Sequence, residues 1–173
     1  MAARLLCFLH GRREGPASGM SSVRVRVLIP RREPIMPAIQ QTAERFFDAC
    51  ETGKGWEGCQ RYCHPDATFS AQAAALDGVD TVQAYTEWMK GLFTPVPDGR
   101  YELRAFAIDP DRNSVAAYAV FRGTHTAAGG PVPPTGKQVE ADYVYVMQFD
   151  GDRIRHMTKI WNDGISMKQL GWA

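Results

Sequence analysis

The sequence predicts an α+β domain in which a curved antiparallel sheet wraps around N-terminal helices and leaves an internal pocket. Three observations carry this. Apolar residues recur at helical spacing only before about residue 95 and again at the very end of the chain. From Gly99 onward, four runs rich in Val, Tyr and Phe alternate in the manner of strands and are separated by turn residues. Helices grouped apart from an antiparallel meander pack as layers around one core, and a long, strongly twisted meander can curl over its helices.

The helices come first. Pro37 suits a first helical turn, where a missing N–H costs nothing. Ile39, Ala43, Phe46, Phe47 and Cys50 then form one apolar face, and Gly53 supplies the left-handed stop. A second short helix runs through Trp56 to Tyr62, and His64-Pro65-Asp66 ends it, because a residue before proline avoids the helical region. Ala67 to Gln72 reads as a short strand. Asp80 is placed to cap a third helix, with Gln83 at the capping-box position and Val82, Tyr85, Met89 and Leu92 as its stripe. Pro95 and Pro97 terminate it.

The meander follows. Tyr101–Ile108 is a strand, closed by the turn Asp109-Pro110-Asp111-Arg112-Asn113. Ser114–Thr126 is the second strand, followed by a Gly/Pro-rich loop over Ala127–Gly136. Val139–Phe149 is the third, and Asp150-Gly151 turns it back into Arg153–Trp161. Asp163–Leu170 closes the chain as a short helix.

Composition sets the outer bounds. The 173 residues suffice for one domain with a sizeable core. No apolar run approaches the ~20 residues of a membrane span, and a net charge of +1 gives no electrostatic case for nucleic acid. The neutrality hides a division at residue 35. Residues 1–35 hold seven Arg against two Glu, whereas residues 36–173 are mildly acidic. The expected organisation is a basic extension, 1–35, ahead of the domain, 36–173. Three readings of the extension stand open: a disordered or vestigial segment with Met36 as the natural first residue, an organelle-targeting segment, or an edge strand formed by Val23–Ile29. Cys7, Cys50, Cys59 and Cys63 read as reduced thiols in a reducing, cytoplasmic setting. Cys59, Cys63 and His64 form a C-x-x-x-C-H string, but its spacing matches no common zinc knuckle, and no metal is expected.

Four strings, each weak alone, appear in a telling order: His64-Pro-Asp-Ala-Thr-Phe69, Gly123-Thr-His-Thr126, Pro133-Pro-Thr-Gly136 and Gln169-Leu-Gly171. Across residues 38–173 the chain resembles the SnoaL-like polyketide cyclases and ester cyclases of the nuclear transport factor 2-like superfamily. The resemblance implies a cone-shaped α+β barrel, commonly a homodimer, with a pocket between helices and sheet. It also implies an Asp near the end of the last strand as general acid/base in an intramolecular aldol closure. Counting back from Gln169-Leu-Gly171, that Asp falls on Asn162 more naturally than on Asp163. Asparagine cannot exchange a proton at useful pH, so the role would pass to Asp163 or a histidine.

An aldol closure removes a proton beside a carbonyl and steadies the enolate, which takes one base of lifted pKa and one donor near the oxyanion, and no metal or organic cofactor. The candidate catalytic residues are Asp163, His156 and His125. Asp163 is a base or the N-cap of the last helix. His156 shares a strand face with Thr158, Ile160 and Asn162, which lines the cavity or meets water. His125 is an acid/base or a partner of the adjacent loop. The candidate ligand-binding residues are Asn162, Trp161, Tyr85, Trp88, Tyr145 and Asp142. Asn162 donates to a ligand carbonyl or caps the helix. Asp142 is a pocket acid or pairs with Arg122 or Lys159. The aromatics, with Tyr143 and Met147, are pocket walls or ordinary core. The expected partner is a hydrophobic small molecule. Three functions remain open: a cofactor-independent enzyme on a carbonyl compound, a non-catalytic binder, and a dimerisation module.

Overall fold

The structure, a computed structural model, describes residues 38–173. The readings made of residues 1–35, and of Pro37 as a helix start, lie outside the described residues. Among the described residues four α-helices and five strands follow one another as α1 (Ala38–Glu51), α2 (Gly55–Cys59), β1 (Cys63–Ala71), α3 (Val82–Leu92), β2 (Arg100–Asp109), β3 (Ser114–Thr124), β4 (Gln138–Asp150), β5 (Arg153–Trp161) and α4 (Asp163–Leu170). Among the described residues no helix is long and apolar enough to cross a membrane.

The apolar stripe of α1 forms as its spacing dictates: Ile39, Ala43, Phe46, Phe47 and Cys50 are all buried. Gly53 ends it at φ +69°, a conformation that costs glycine little. The helix α3 begins one residue later than the capping box suggested. Thr81 is the N-cap, its side chain accepting from the Ala84 N–H at 3.1 Å. The Asp80 backbone carbonyl accepts from the Phe69 N–H at 2.8 Å, which ties the helix entry to β1.

The strand order is β1-β5-β4-β3-β2. β2 to β5 form the expected antiparallel meander, turned at Gly151 with φ +62°. β1 departs from the expectation by joining the free edge of β5 in parallel, so the sheet is mixed. Parallel neighbours need a long crossover rather than a hairpin, and therefore leave no turn signature between them. His64-Pro65-Asp66 also lies inside β1 instead of ending a helix. The register slips between Cys63 and Thr68, and an irregular edge strand is where a proline without an N–H is tolerated.

One face of the sheet is the core. Across it run two rows in register, Ala117–Tyr145–Lys159 and Ala119–Tyr143–Trp161. The alanines leave room beneath α1, which reaches β2, β3 and β5, while α3 covers β1 and α4 covers β4. The opposite face carries the alternate residues, including the row Tyr118–Val144–Ile160.

Candidate functional site

The two-residue period of β5 places Met157, Lys159 and Trp161 on the core side. Lys159 is thereby taken inside with only 6% of its surface exposed. Its Nζ sits 4.5 Å from the Trp161 ring centre, 5.0 Å from Tyr143, 5.2 Å from Tyr85, and 5.7 Å from both Trp88 and Tyr145. Five aromatic rings thus replace part of the water an ammonium would hold, Tyr85 meeting it through its hydroxyl. Opposite them the last residue of α1, Glu51, is 2% exposed. Tyr143 donates to its Oε2 at 2.5 Å and Tyr145 donates to its Oε1.

These bonds have a fixed sense. Tyr145 has one proton and gives it to Glu51, so in the Tyr85–Tyr145 hydroxyl pair Tyr85 is the donor. The Tyr85 oxygen then accepts from Lys159 Nζ at 2.9 Å. An ordered wire results: Lys159 ammonium to Tyr85, to Tyr145, to the Glu51 carboxylate. Burial raises the Glu51 carboxyl above its ordinary range, partly offset by attraction to Lys159 and by the two tyrosine bonds. Burial lowers Lys159 to about 8 against the pull of Glu51. The three tyrosines are raised, first by burial and next by the Glu51 charge. Desolvation therefore pushes both ends of the wire toward neutrality.

A cavity adjoins this network between α3, α4 and the core face of the sheet. Glu51, Tyr143 and Lys159 form its polar side, and Trp88, Leu92, Phe121, Trp161 and Leu170 form much of its apolar wall. It encloses about 430 Å³ between atoms, counting its open mouth, but only about 30 Å³ is wide enough for the centre of a water. The interior is narrower than the several-hundred-Å³ chamber typical of small-molecule sites.

A family model for SnoaL-like polyketide cyclases matches residues 41–170. The chain belongs to the SnoaL-like polyketide cyclase family. Solved structures agree on the fold. A SnoaL-like polyketide cyclase candidate from a Jannaschia species aligns with a TM-score of 0.64 at 18% identity, covering 82% of this chain and 97% of that one. AclR of Streptomyces galilaeus, described as a candidate hydroxylase, gives 0.63 at 18% over 77% and 80%. IdmH of Streptomyces antibioticus, described as a candidate polyketide cyclase, gives 0.61 at 22% over 76% and 96%. No curated protein matches the chain with significance. The fold is thus the nuclear transport factor 2-like α+β cone of this family.

Within this SnoaL-like fold the residues singled out from sequence divide among four places. Trp88 and Trp161 line the cavity, and Tyr85 and Tyr145 stand behind it as the links of the wire. Asp142, Asn162 and Asp163 meet, with the far side of Trp161, in an open cleft on the outer face. There Asn162 is the N-cap of α4, its Oδ1 accepting from the Ile165 N–H at 3.2 Å, and Asp163 Oδ2 accepts from the Ala75 N–H at 2.9 Å. Asp142 pairs with neither Arg122 nor Lys159. It accepts from the Tyr118 hydroxyl at 2.7 Å; Arg122, on the same face, is instead bonded to Glu140 and Glu102, and Lys159 points to the opposite face by its parity on β5. His156 takes the outer face too, bonded to Thr68 at 2.7 Å and Ser70 at 3.1 Å, so it does not converge with the cavity. His125 is buried apart, its Nδ1 accepting from Trp172 Nε1 at 2.9 Å.

Cys59 and Cys63 are buried free thiols, whereas His64 turns to the Asp150 carbonyl at 3.2 Å. Among the described residues no group of three or more acidic, His or Cys side chains is arranged to hold a metal. Sequence reasoning passed over Glu51 as a site residue and treated Lys159 only as a partner for Asp142. Both carried a readable signal. Glu51 extends the α1 stripe by four residues from Phe47, and Lys159 occupies an inward parity position between Met157 and Trp161.

Proposed function

We propose that the chain performs cofactor-independent acid/base chemistry on a hydrophobic carbonyl compound held in the cavity. The observation that carries this reading is a buried carboxylate and a buried ammonium on the wall of one apolar cavity. Glu51, its carboxyl raised by desolvation, takes the proton beside the carbonyl. Lys159 donates to the carbonyl oxygen as negative charge develops there. The ring faces and apolar wall exclude water, which strengthens both interactions. The cavity is narrow as it stands, so side chains at its mouth must rotate before a flat ligand can enter. Intramolecular aldol closure and isomerisation both begin with this step.

The test uses 1-tetralone in D2O, with exchange of its α-protons followed by proton NMR. The full chain accelerates exchange over buffer, and Glu51→Gln lowers that acceleration by about 100-fold or more. Equal exchange in both proteins removes Glu51 from the chemistry. A second reading, a non-catalytic binder, is favoured by the narrow cavity and by Asn162, which stands as a helix cap where the family resemblance puts an Asp. Thermal stabilisation by 1-tetralone without any accelerated exchange selects it.

A further inference from the structure

We propose that Lys159 is also a nucleophile, capturing a hydrophobic aldehyde or ketone as an imine on its Nζ. The inference rests on the preceding reading for the cavity and its carbonyl ligand. It adds covalent catalysis by a residue whose position no family expectation assigns.

The chain has five lysines. Lys54, Lys90, Lys137 and Lys168 are exposed, and Lys159 alone is buried in a cavity wall. Among the described residues its Nζ makes one hydrogen bond, to Tyr85, and is linked to Glu51 through two tyrosines. That arrangement differs from a structural ion pair, in which carboxylate oxygens cover the amine and block its lone pair. Here the proton has a route away. Nζ passes one to Tyr85, Tyr85 passes its own to Tyr145, and Tyr145 passes its own to Glu51. The result is a neutral amine, two neutral phenols and a protonated carboxyl, with no net charge gained or lost.

The neutral amine then attacks the carbonyl carbon. A C–N bond forms, and the C=O π pair moves to oxygen, which takes a proton from the Glu51 carboxyl. The nitrogen of the carbinolamine gives a proton to the Glu51 carboxylate, Glu51 returns it to the hydroxyl, which leaves as water, and the nitrogen lone pair closes the C=N bond. The protonated imine carries one positive charge at the place the ammonium held. The same aromatic rings that surround the ammonium therefore surround the iminium. With the carboxylate restored, Glu51 removes the α-proton into an electron sink stronger than a carbonyl. Lys159, lowered to about 8, is neutral in about a tenth of molecules at pH 7, roughly 300-fold more than an exposed lysine.

The experiment treats the full chain with 2-naphthaldehyde and sodium cyanoborohydride at pH 7, followed by intact mass and peptide mapping. Cyanoborohydride delivers hydride to the iminium carbon and leaves a stable naphthylmethyl amine. The expected result is one such group on Lys159, appearing about 100-fold faster than at any exposed lysine. Peptide mapping separates it from modification of the α-amine. Lys159→Arg, checked for folding by circular dichroism, loses the rapid adduct. If 2-naphthaldehyde raises the melting temperature while Lys159 stays unmodified, the covalent step is overturned and the pocket reading stands. If it neither stabilises the chain nor modifies Lys159, both fall. A rapid adduct that persists in Lys159→Arg overturns the assignment to this residue.

Discussion

A buried amine held well below its ordinary pKa must leave a signature in the pH dependence of folding. Lys159 titrates at about 8 in the fold against 10.5 for the ordinary group. The gap corresponds to about 3 kcal/mol held against the folded state below pH 8. Between the two pKa values the unfolded chain binds the extra proton, so stability rises with pH there. The reference protein is the double variant Glu51→Gln/Lys159→Met, which removes both charges and keeps their approximate shape. Relative to it, the wild type gains about 2 kcal/mol between pH 7.5 and 9.5, measured by urea unfolding under reducing conditions. Cys50, Cys63, Tyr85, Tyr143 and Tyr145 are held protonated by burial and oppose this rise, but their burial is common to both proteins. Comparing Glu51→Gln with the double variant isolates the amine from the titration of Glu51 itself. There the gain is at least as large, because losing the Glu51 attraction lowers Lys159 further. Parallel stability–pH curves in both comparisons would mean that Lys159 is solvated, and the site argument would fail with it.

Two further outcomes follow from the outer face. Asn162→Ala removes the bond to the Ile165 N–H and costs about 1 kcal/mol in urea unfolding while leaving 1-tetralone exchange unchanged; a stable variant without exchange would move the chemistry to the outer cleft. Ile160, 59% exposed in the apolar row Tyr118–Val144–Ile160, is the expected centre of a homodimer interface. Ile160→Lys then halves the mass seen by sedimentation at micromolar concentration, and an unchanged mass places the interface elsewhere or removes it.

The helices and the meander were legible because their signals are local. Helical spacing in α1 and α3 and alternation in β4 each lie within one segment. The two misplacements, the α3 cap and the role of His64-Pro65-Asp66, share one cause. Both are decided by β1, whose partner β5 lies some ninety residues away and runs parallel to it. The site was half legible for the same reason. Tyr85, Trp88, Tyr145 and Trp161 are large aromatics on apolar faces, and any core-seeking argument collects them. Asp142, His156, Asn162 and Asp163 were selected for their chemistry; strand parity turns Asp142 and His156 outward, Asn162 caps α4, and Asp163 is taken by the Ala75 N–H.

Parity also bears on why the inner pair is better read as machinery than as scaffold. Taking a carboxylate and an ammonium out of water costs more than their attraction returns, and apolar side chains of similar volume would stabilise the core as well or better. The chain nevertheless commits three buried tyrosine hydroxyls and a surround of aromatic rings to keep Glu51 and Lys159 inside. An arrangement built only to be stable would bring the two charges into contact. Here two hydroxyls separate them, and each charged group keeps a face on the cavity. Such spacing lets a proton pass between the groups while leaving both free to meet a third. A pair in that position fits a reacting guest far better than it fits the cohesion of the fold.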